Sequence, residues 1–437
     1  MEQYKLSPMA CLHRKFHIGD DADFVSDGYN IEQFLHETLL TSAHRTYNAS
    51  EADFFYVPVY LACMMWPVLG WADYPWFYAP TAYPRPMHGA NMLVEIKRWI
   101  QMTYPYWNNS KGKDHIWLAN HDEGACWFPS EIYNTSIILT HWGRMDANPL
   151  SNSGWPPDNY STPLQDQTGH ITFPKLQEQD WRLLYQGPDG KGHVCYDPAK
   201  DIVLPQFKPP QHYEKSPALG RAPLERDIFC YFKGDVGKHR EVHYSRGIRQ
   251  TLFRLAHEQK WREKHNIVYG TGSEYPGDYG EQLSRSIFCL VLPGDGYSGR
   301  GEDAILHGCI PVVIMDHVHA VWEGVLDWSK FSVRIPESSL ADVPKILQAI
   351  QQDKIEKMQA NIVKVWWRFA YMTNELHRHR LPDKYRRNSL IRLSNETDLP
   401  PGHPFRRRER YNVRSDAFHT LLQALYAKID IRKTKSS

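Results

Sequence analysis

Nowhere in the 437 residues do 18 apolar residues run together, so no segment reads as a membrane-spanning helix. The start, MEQYKLSPMACLHRKF, lacks the apolar core of a signal peptide. Charge of one sign is missing too: 51 basic residues against 50 acidic leave +1, too little field to expect a nucleic-acid partner. None of the seven cysteines stands in a CxxC pair, so zinc clusters and thioredoxin chemistry are not expected, and no metal ligands are assigned. Internal repeats and low-complexity tracts are also absent.

What remains is a long, aromatic chain. Its length exceeds what one compact core holds and implies two domains of ordinary size. Aromatics reach 13% with 15 Trp; flat rings suit sugar faces, but Trp is equally a large core residue, and most of the fifteen belong there. Cys230, Cys289 and Cys309 lie in or beside apolar runs, where reduced core cysteines are expected, whereas Cys126 and Cys195 lie in loop-rich sequence and are the pair to consider for a disulfide. Five N-x-S/T sequons, at Asn48, Asn108, Asn134, Asn159 and Asn395, favour a lumenal environment.

The stretch 279–333 organises the rest. An amphipathic helix at about 279–286 leads into an apolar strand at 288–292, a loop PGDGYSG at 293–299, a helix opening near Arg300, and a second apolar strand at 310–315. Strand, Gly-rich loop, helix, strand is a βαβ unit of a parallel sheet. Its loop, with Gly294 and Ser298, falls at the carboxyl edge of the sheet, where open α/β folds bind ligands, and the helix start turns N–H groups there, which suits a phosphate. Arg300 adds a forked, permanent cation, and Asp303, one turn on, can face the same cleft and accept hydrogen bonds from a ribose. The plain alternative is a surface pair at i, i+3.

Upstream, 1–30 reads as irregular, its DxD triplet at Asp21 and Asp23 as a solvated loop. A helix at 31–46 precedes a strand at 52–60 that Pro58 ends or pushes to a sheet edge. A Trp- and Pro-rich loop at 64–86 and a helix at 89–104 follow. Then DHIWLANHDEGAC (114–126) runs from strand to a loop carrying His121, Asp122 and Glu123. A histidine oriented by a carboxylate can move protons near neutrality; such a loop can equally spend its side chains on its own backbone. A strand at 136–140 follows, and 143–210, broken by Pro, Gly, Asn and Ser, reads as insertions and the crossing to a second domain. That domain opens near Arg226 with a strand at 227–234 ending in Lys233 and Gly234, then a basic helix with Arg240, Arg246 and Arg249. These arginines can reach a diphosphate at the 294–300 loop, though a solvated face is the commoner use. A long amphipathic helix from Ile355 to about Phe369, a basic connector with Arg406, Arg407 and Arg408, and a last helix capped by Ser415 or Asp416 complete the chain. Domains are expected at 1–215 and 216–385, with a connector and packing helix at 386–437.

Four segments in order resemble the exostosin-type transferases, glycosyltransferase family 47, in their plant-type branch: AHRTYNASEADFFYVPVY (43–60), DHIWLANHDEGACW (114–127), DIFCYFKG with YSRGIRQTL (227–252), and FCLVLPGD, SGRGEDA, GCIPVV and LDWSKFSV in the central stretch. The resemblance implies a GT-B fold, two Rossmann-like domains facing across a cleft. It implies inverting transfer of a sugar from a UDP-sugar donor to a glycan or glycoprotein, without a required metal, in the Golgi lumen. An N-terminal membrane anchor is a further family trait that is not found in this sequence, and a partner glycosyltransferase is one partner to consider. By position, Lys233, Arg246, Gly294, Ser298, Arg300, Asp303 and Glu323 fall to the donor, with Arg300 on the diphosphate, Asp303 on the ribose and Glu323 near sugar or base. His121 and Asp122 match the HD pair of the acceptor side, and one of them is the expected base. Gly299 stands where Ser is common, Glu302 where an apolar residue is, and Ala125 where Pro is. Two other readings stay open: a non-catalytic subunit that binds glycan or assists a partner transferase, and a cytosolic α/β enzyme for another nucleotide.

Overall fold

The computed structural model describes residues 16–18, 21–24, 31–61, 85–126, 128–146, 193–208, 216–217, 225–371 and 416–435. Two parallel sheets dominate. The first has strands β3 (Phe55–Tyr56), β4 (His115–Ala119), β5 (Ile137–Thr140) and β7 (Ile202–Val203), side by side in that order. Every residue of β4 and β5 is buried, which is why both read as unbroken apolar runs. The expected strand at 52–60 shrinks to two residues at the sheet edge, where Pro58 cannot donate to a ladder.

The second sheet holds β8 (Ile228–Lys233), β9 (Ile267–Gly270), β10 (Ser286–Val291), β11 (Ile310–Val313) and β13 (Val333–Arg334), ordered β13-β11-β10-β8-β9 with every pair parallel. Read along the chain this is the doubly wound order 2-1-3-4-5, whose direction reverses between β8 and β10. Ligands in such sheets sit at the carboxyl ends of the strands flanking that reversal. Here those ends are Lys233 and the loop after Val291.

The halves meet through backbone as well as side chains. A short antiparallel pair joins β6 (Gly143–Arg144) to β12 (Val318–His319), Met145 N–H donates to the His317 carbonyl (2.8 Å), and Trp322 N–H to that of Val203 (3.0 Å). One continuous apolar cluster runs from Phe34, Ile116 and Leu139 through Phe207 to Leu290, Val312 and Phe418. The last helix, Ala417–Lys435, packs Phe418, Leu421 and Leu425 into it, and Asp416 Oδ1 caps it by accepting from His419 N–H (3.0 Å).

Three expectations need correcting. Cys289 and Cys309 are not reduced: they form a disulfide, because Cys289 on β10 and Cys309 just before β11 lie on neighbouring strands; an apolar run reports burial, not pairing. Cys126–Cys195 is the second disulfide, as the loop-rich sequence suggested, and Cys230 is a buried free thiol. The helix from Gln352 stops at Val363 and yields to a tighter turn at Trp366–Phe369. Phe16–Ile18 and Asp21–Phe24, read as irregular, pair as antiparallel strands β1 and β2. The basic segment at 406–408, Ser415, Asn159 and Asn395 lie outside the described residues. Among those described, no helix is long and apolar enough to cross a membrane.

Candidate functional site

At the reversal point lies a cavity of about 370 Å3 lined by residues of both halves: Asp122, Gln206 and Lys208 from the first, and Lys233, Arg249, Tyr279, Ser298, Arg300 and Asp303 among those from the second.

Arg300 opens the helix Arg300–Leu306, and its guanidinium lies back over the end of β8. It donates to the Lys233 carbonyl (2.9 Å) and the Tyr279 hydroxyl (3.1 Å), with the Phe232 ring beneath it at 4.5 Å. Burial opposes its charge, but Tyr279 and Asp303 outweigh that and hold its pKa above the ordinary value. Asp303, one turn on and 7% exposed, accepts from the Tyr279 hydroxyl (3.3 Å) and pairs with Lys208 Nζ (2.9 Å). Tyr279 thus ties the guanidinium and the carboxylate to one another. The helix has only seven residues, so the positive charge of the cavity comes from side chains rather than from its dipole.

Lys233 lines the cavity, its ammonium donating to the Gly277 carbonyl (2.8 Å), and burial draws its pKa down. Arg249, almost fully buried, reaches the cavity while donating to the carbonyls of Asp235 (3.1 Å) and Leu292 (3.2 Å) and to the Tyr244 hydroxyl (2.6 Å). Ser298 Oγ is buried on the cavity wall with no hydrogen-bond partner among the described residues.

The Gly-rich loop docks on the other half through Asp122. Tyr297 N–H donates to the Asp122 carbonyl (2.9 Å), and a Cβ on Gly296 would overlap that carbonyl. Only glycine permits this approach. Asp122 itself lines the cavity. His121 does not: it is 2% exposed, off the cavity wall, and its Nδ1 accepts from Glu123 N–H (3.2 Å).

Of the residues singled out from sequence, Asp122, Lys233, Ser298, Arg300 and Asp303 converge on this cavity, while His121, Arg246, Gly294 and Glu323 do not line it. Gly294 lies in the loop behind Arg249. Arg246 donates to the Asp316 carbonyl (3.0 Å) and pairs with Glu337 (3.3 Å), because Ser245, Arg246 and Gly247 adopt successive left-handed conformations (φ 54°, 56° and 75°) before the helix Ile248–Glu258 begins. Glu323 accepts from Ala320 N–H (2.6 Å) and pairs with Arg334 (2.5 Å). Sequence reasoning gave Gln206, Lys208, Tyr279 and Tyr297 no role. Tyr297 stood inside the loop motif and Tyr279 at a helix start, but no local pattern marks Gln206 or Lys208.

A doubly wound parallel sheet with a cation-lined cavity at its reversal point defines a Rossmann-like α/β protein. Comparison with known proteins carries this further. The exostosin GT47 domain family model matches residues 9–350, and the chain belongs to that family. It is similar to a probable glucuronosyltransferase of Oryza sativa subsp. japonica, 29% identical over 334 residues covering 75% of this chain and 66% of the relative. It is similar also to a probable beta-1,4-xylosyltransferase of Arabidopsis thaliana, 29% identical over 335 residues with the same two coverages, 75% and 66%. The chain thus spans 66% of the length of these curated relatives.

Proposed function

We propose that this protein is an inverting glycosyltransferase of two Rossmann-like lobes in the GT-B manner, taking a sugar from a UDP-sugar and passing it to a glycan or glycoprotein hydroxyl. One observation carries the reading: the cavity at the reversal point sets four cations, Lys208, Lys233, Arg249 and Arg300, against two carboxylates, Asp122 and Asp303. The excess of positive charge matches a dianionic diphosphate ester, and the Asp303 carboxylate beside these cations supports the reading that it accepts from the ribose hydroxyls.

In the reaction, the bond from the anomeric carbon to the diphosphate breaks with its electron pair passing to the phosphate oxygen. The acceptor oxygen bonds to that carbon from the opposite face, and its proton goes to a base. Arg300 and its neighbours stabilise the departing charge from fixed positions, at no reorganisation cost. Asp122 is the better base of the HD pair, because it lines the cavity and His121 is buried off its wall. Lumenal residence in the Golgi is supported by exposed sequon asparagines at Asn48, Asn108 and Asn134 and by the disulfides Cys126–Cys195 and Cys289–Cys309 among the described residues.

A panel of nucleotide sugars scored for UDP release tests the proposal, with UDP-glucuronic acid and UDP-xylose first because the relatives are named for those sugars. Release from at least one donor is expected, falling about a hundred- to a thousandfold in Arg300→Ala. A folded protein that binds UDP and turns over no donor in the presence of glycan acceptors points instead to a glycan-binding subunit.

A further inference from the structure

The segment Pro205 to Lys208 leaves the first sheet just after β7; Phe207 stays packed on Phe34 of the first half (ring centroids 5.0 Å), while Pro205, Gln206 and Lys208 make polar contacts with the donor side of the cavity or the elements behind it. The Pro205 carbonyl accepts from the Tyr371 hydroxyl (3.0 Å). Gln206 N–H donates to Glu302 Oε1 (3.1 Å), and its side-chain amide donates to the Tyr297 hydroxyl. Lys208 Nζ ends 2.9 Å from Asp303 Oδ1, with both side chains about nine-tenths buried.

Two features of the helix start are fitted to this strap. Gly299 lets its side chains close in: a Cβ there would overlap Gln206 Oε1 and come to 2.9 Å from Lys208 Nζ, so both side-chain ends would have to move away. Glu302 is a carboxylate, 2% exposed, on a helix face that would otherwise be apolar core; burial pushes its pKa up, and the main-chain N–H of Gln206 and the charge of Lys208 answer it. These are two of the three positions at which the chain departs from the pattern it resembles. Burying a carboxylate and giving up a side chain both cost stability. What the arrangement delivers is an ammonium beside the residue after which Arg300 opens the helix.

From this we infer that Lys208 is a donor-phosphate ligand, carried into the site by the Gln206 strap and made possible by Gly299 and Glu302. The inference rests on the UDP-sugar reading of the cavity. An ammonium has three N–H donors, and the pair with Asp303 occupies one direction only, so Lys208 can hold Asp303 for the ribose while pairing with the diphosphate. When the bond to the sugar breaks, the added negative charge on the terminal phosphate oxygen falls within a group of cations drawn from both halves of the chain.

Lys208→Gln keeps the volume and a donor toward Asp303 while removing the charge. Titrated calorimetrically, it is expected to bind UDP at least about tenfold more weakly, to bind UMP within about twofold of wild type, and to recover UDP affinity in Lys208→Arg. A merely structural role would weaken both nucleotides alike. Gly299→Ser, whose side chain claims the space of Gln206 and Lys208, provides a second route to the same loss without deleting the pair. UDP affinity unchanged in either folded variant, or equal losses for UDP and UMP, overturns the inference. Wild-type protein that binds no UDP overturns the underlying reading instead, so the two failures are distinct.

Discussion

The loops at the carboxyl ends of β10 and β4 face one cavity and are built on opposite plans. The loop after β10 is followed by charged side chains locked in a network: Arg300 to Tyr279, Tyr279 to Asp303, Asp303 to Lys208. The loop after β4 buries its His121 and Glu123 and offers the cavity Asp122, whose carbonyl anchors the opposing loop. The first plan suits a ligand with fixed, concentrated charge, because rigid donors need no rearrangement when that charge grows. The second suits a neutral hydroxyl, for which one carboxylate at the right edge suffices. On the proposed glycosyltransferase reading, the difference separates donor holding from acceptor activation within one cavity.

If that division is real, Asp122→Asn removes turnover and spares the donor: UDP release in the presence of acceptor falls about a hundredfold or more, while UDP affinity stays within about twofold, by calorimetry beside a steady-state assay. Equal losses in both would dissolve the contrast. Gly296→Ala attacks the junction, since its methyl group overlaps the Asp122 carbonyl. A loss of about 1–3 kcal/mol in denaturant unfolding is expected, together with weakened turnover; unchanged unfolding would show that the loops need not touch.

A smaller effect belongs to the first half alone. Asp201 is buried, accepts from the N–H groups of Ile138 and Asp197 (both 2.9 Å), and is raised by burial to a pKa of about 6 despite Lys200 beside it. An acid whose folded pKa lies above its unfolded one stabilises the fold when protonated. Its contribution is therefore full below about pH 4 and lost as pH climbs through about 6, to a total of up to ~3 kcal/mol. Stability measured from pH 4 to 7 should show that slope in wild type and lack it in Asp201→Asn. Smallest of all, Arg246→Ala should leave UDP affinity within about twofold, since Arg246 is spent on Asp316 and Glu337.

The second sheet was largely legible from sequence because fully buried parallel strands are written as continuous apolar runs, IFCYF and SIFCLV among them, each closed by glycine-bearing loops. From that order alone Lys233, Ser298, Arg300 and Asp303 could be placed at one edge. Choosing Arg249 over Arg246 was beyond it, because the choice turns on three successive left-handed residues that reset the helix phase. Lys208 and Gln206 were hidden for a different reason. Their segment has no period of its own, and its partners lie about ninety residues away, so only the folded chain shows what it serves. The Cys289–Cys309 bond was missed on the same ground: strand adjacency, not composition, decides it.

Calorimetric titration of UDP into the intact protein and into Arg300→Ala, with thermal melts of both, bears most directly on the proposal that this cavity holds the donor. Saturable binding by wild type that is weakened about a hundredfold or more in a folded Arg300→Ala is the predicted result. A wild-type protein that gives no binding heat, or a variant that binds as tightly as wild type, would contradict it.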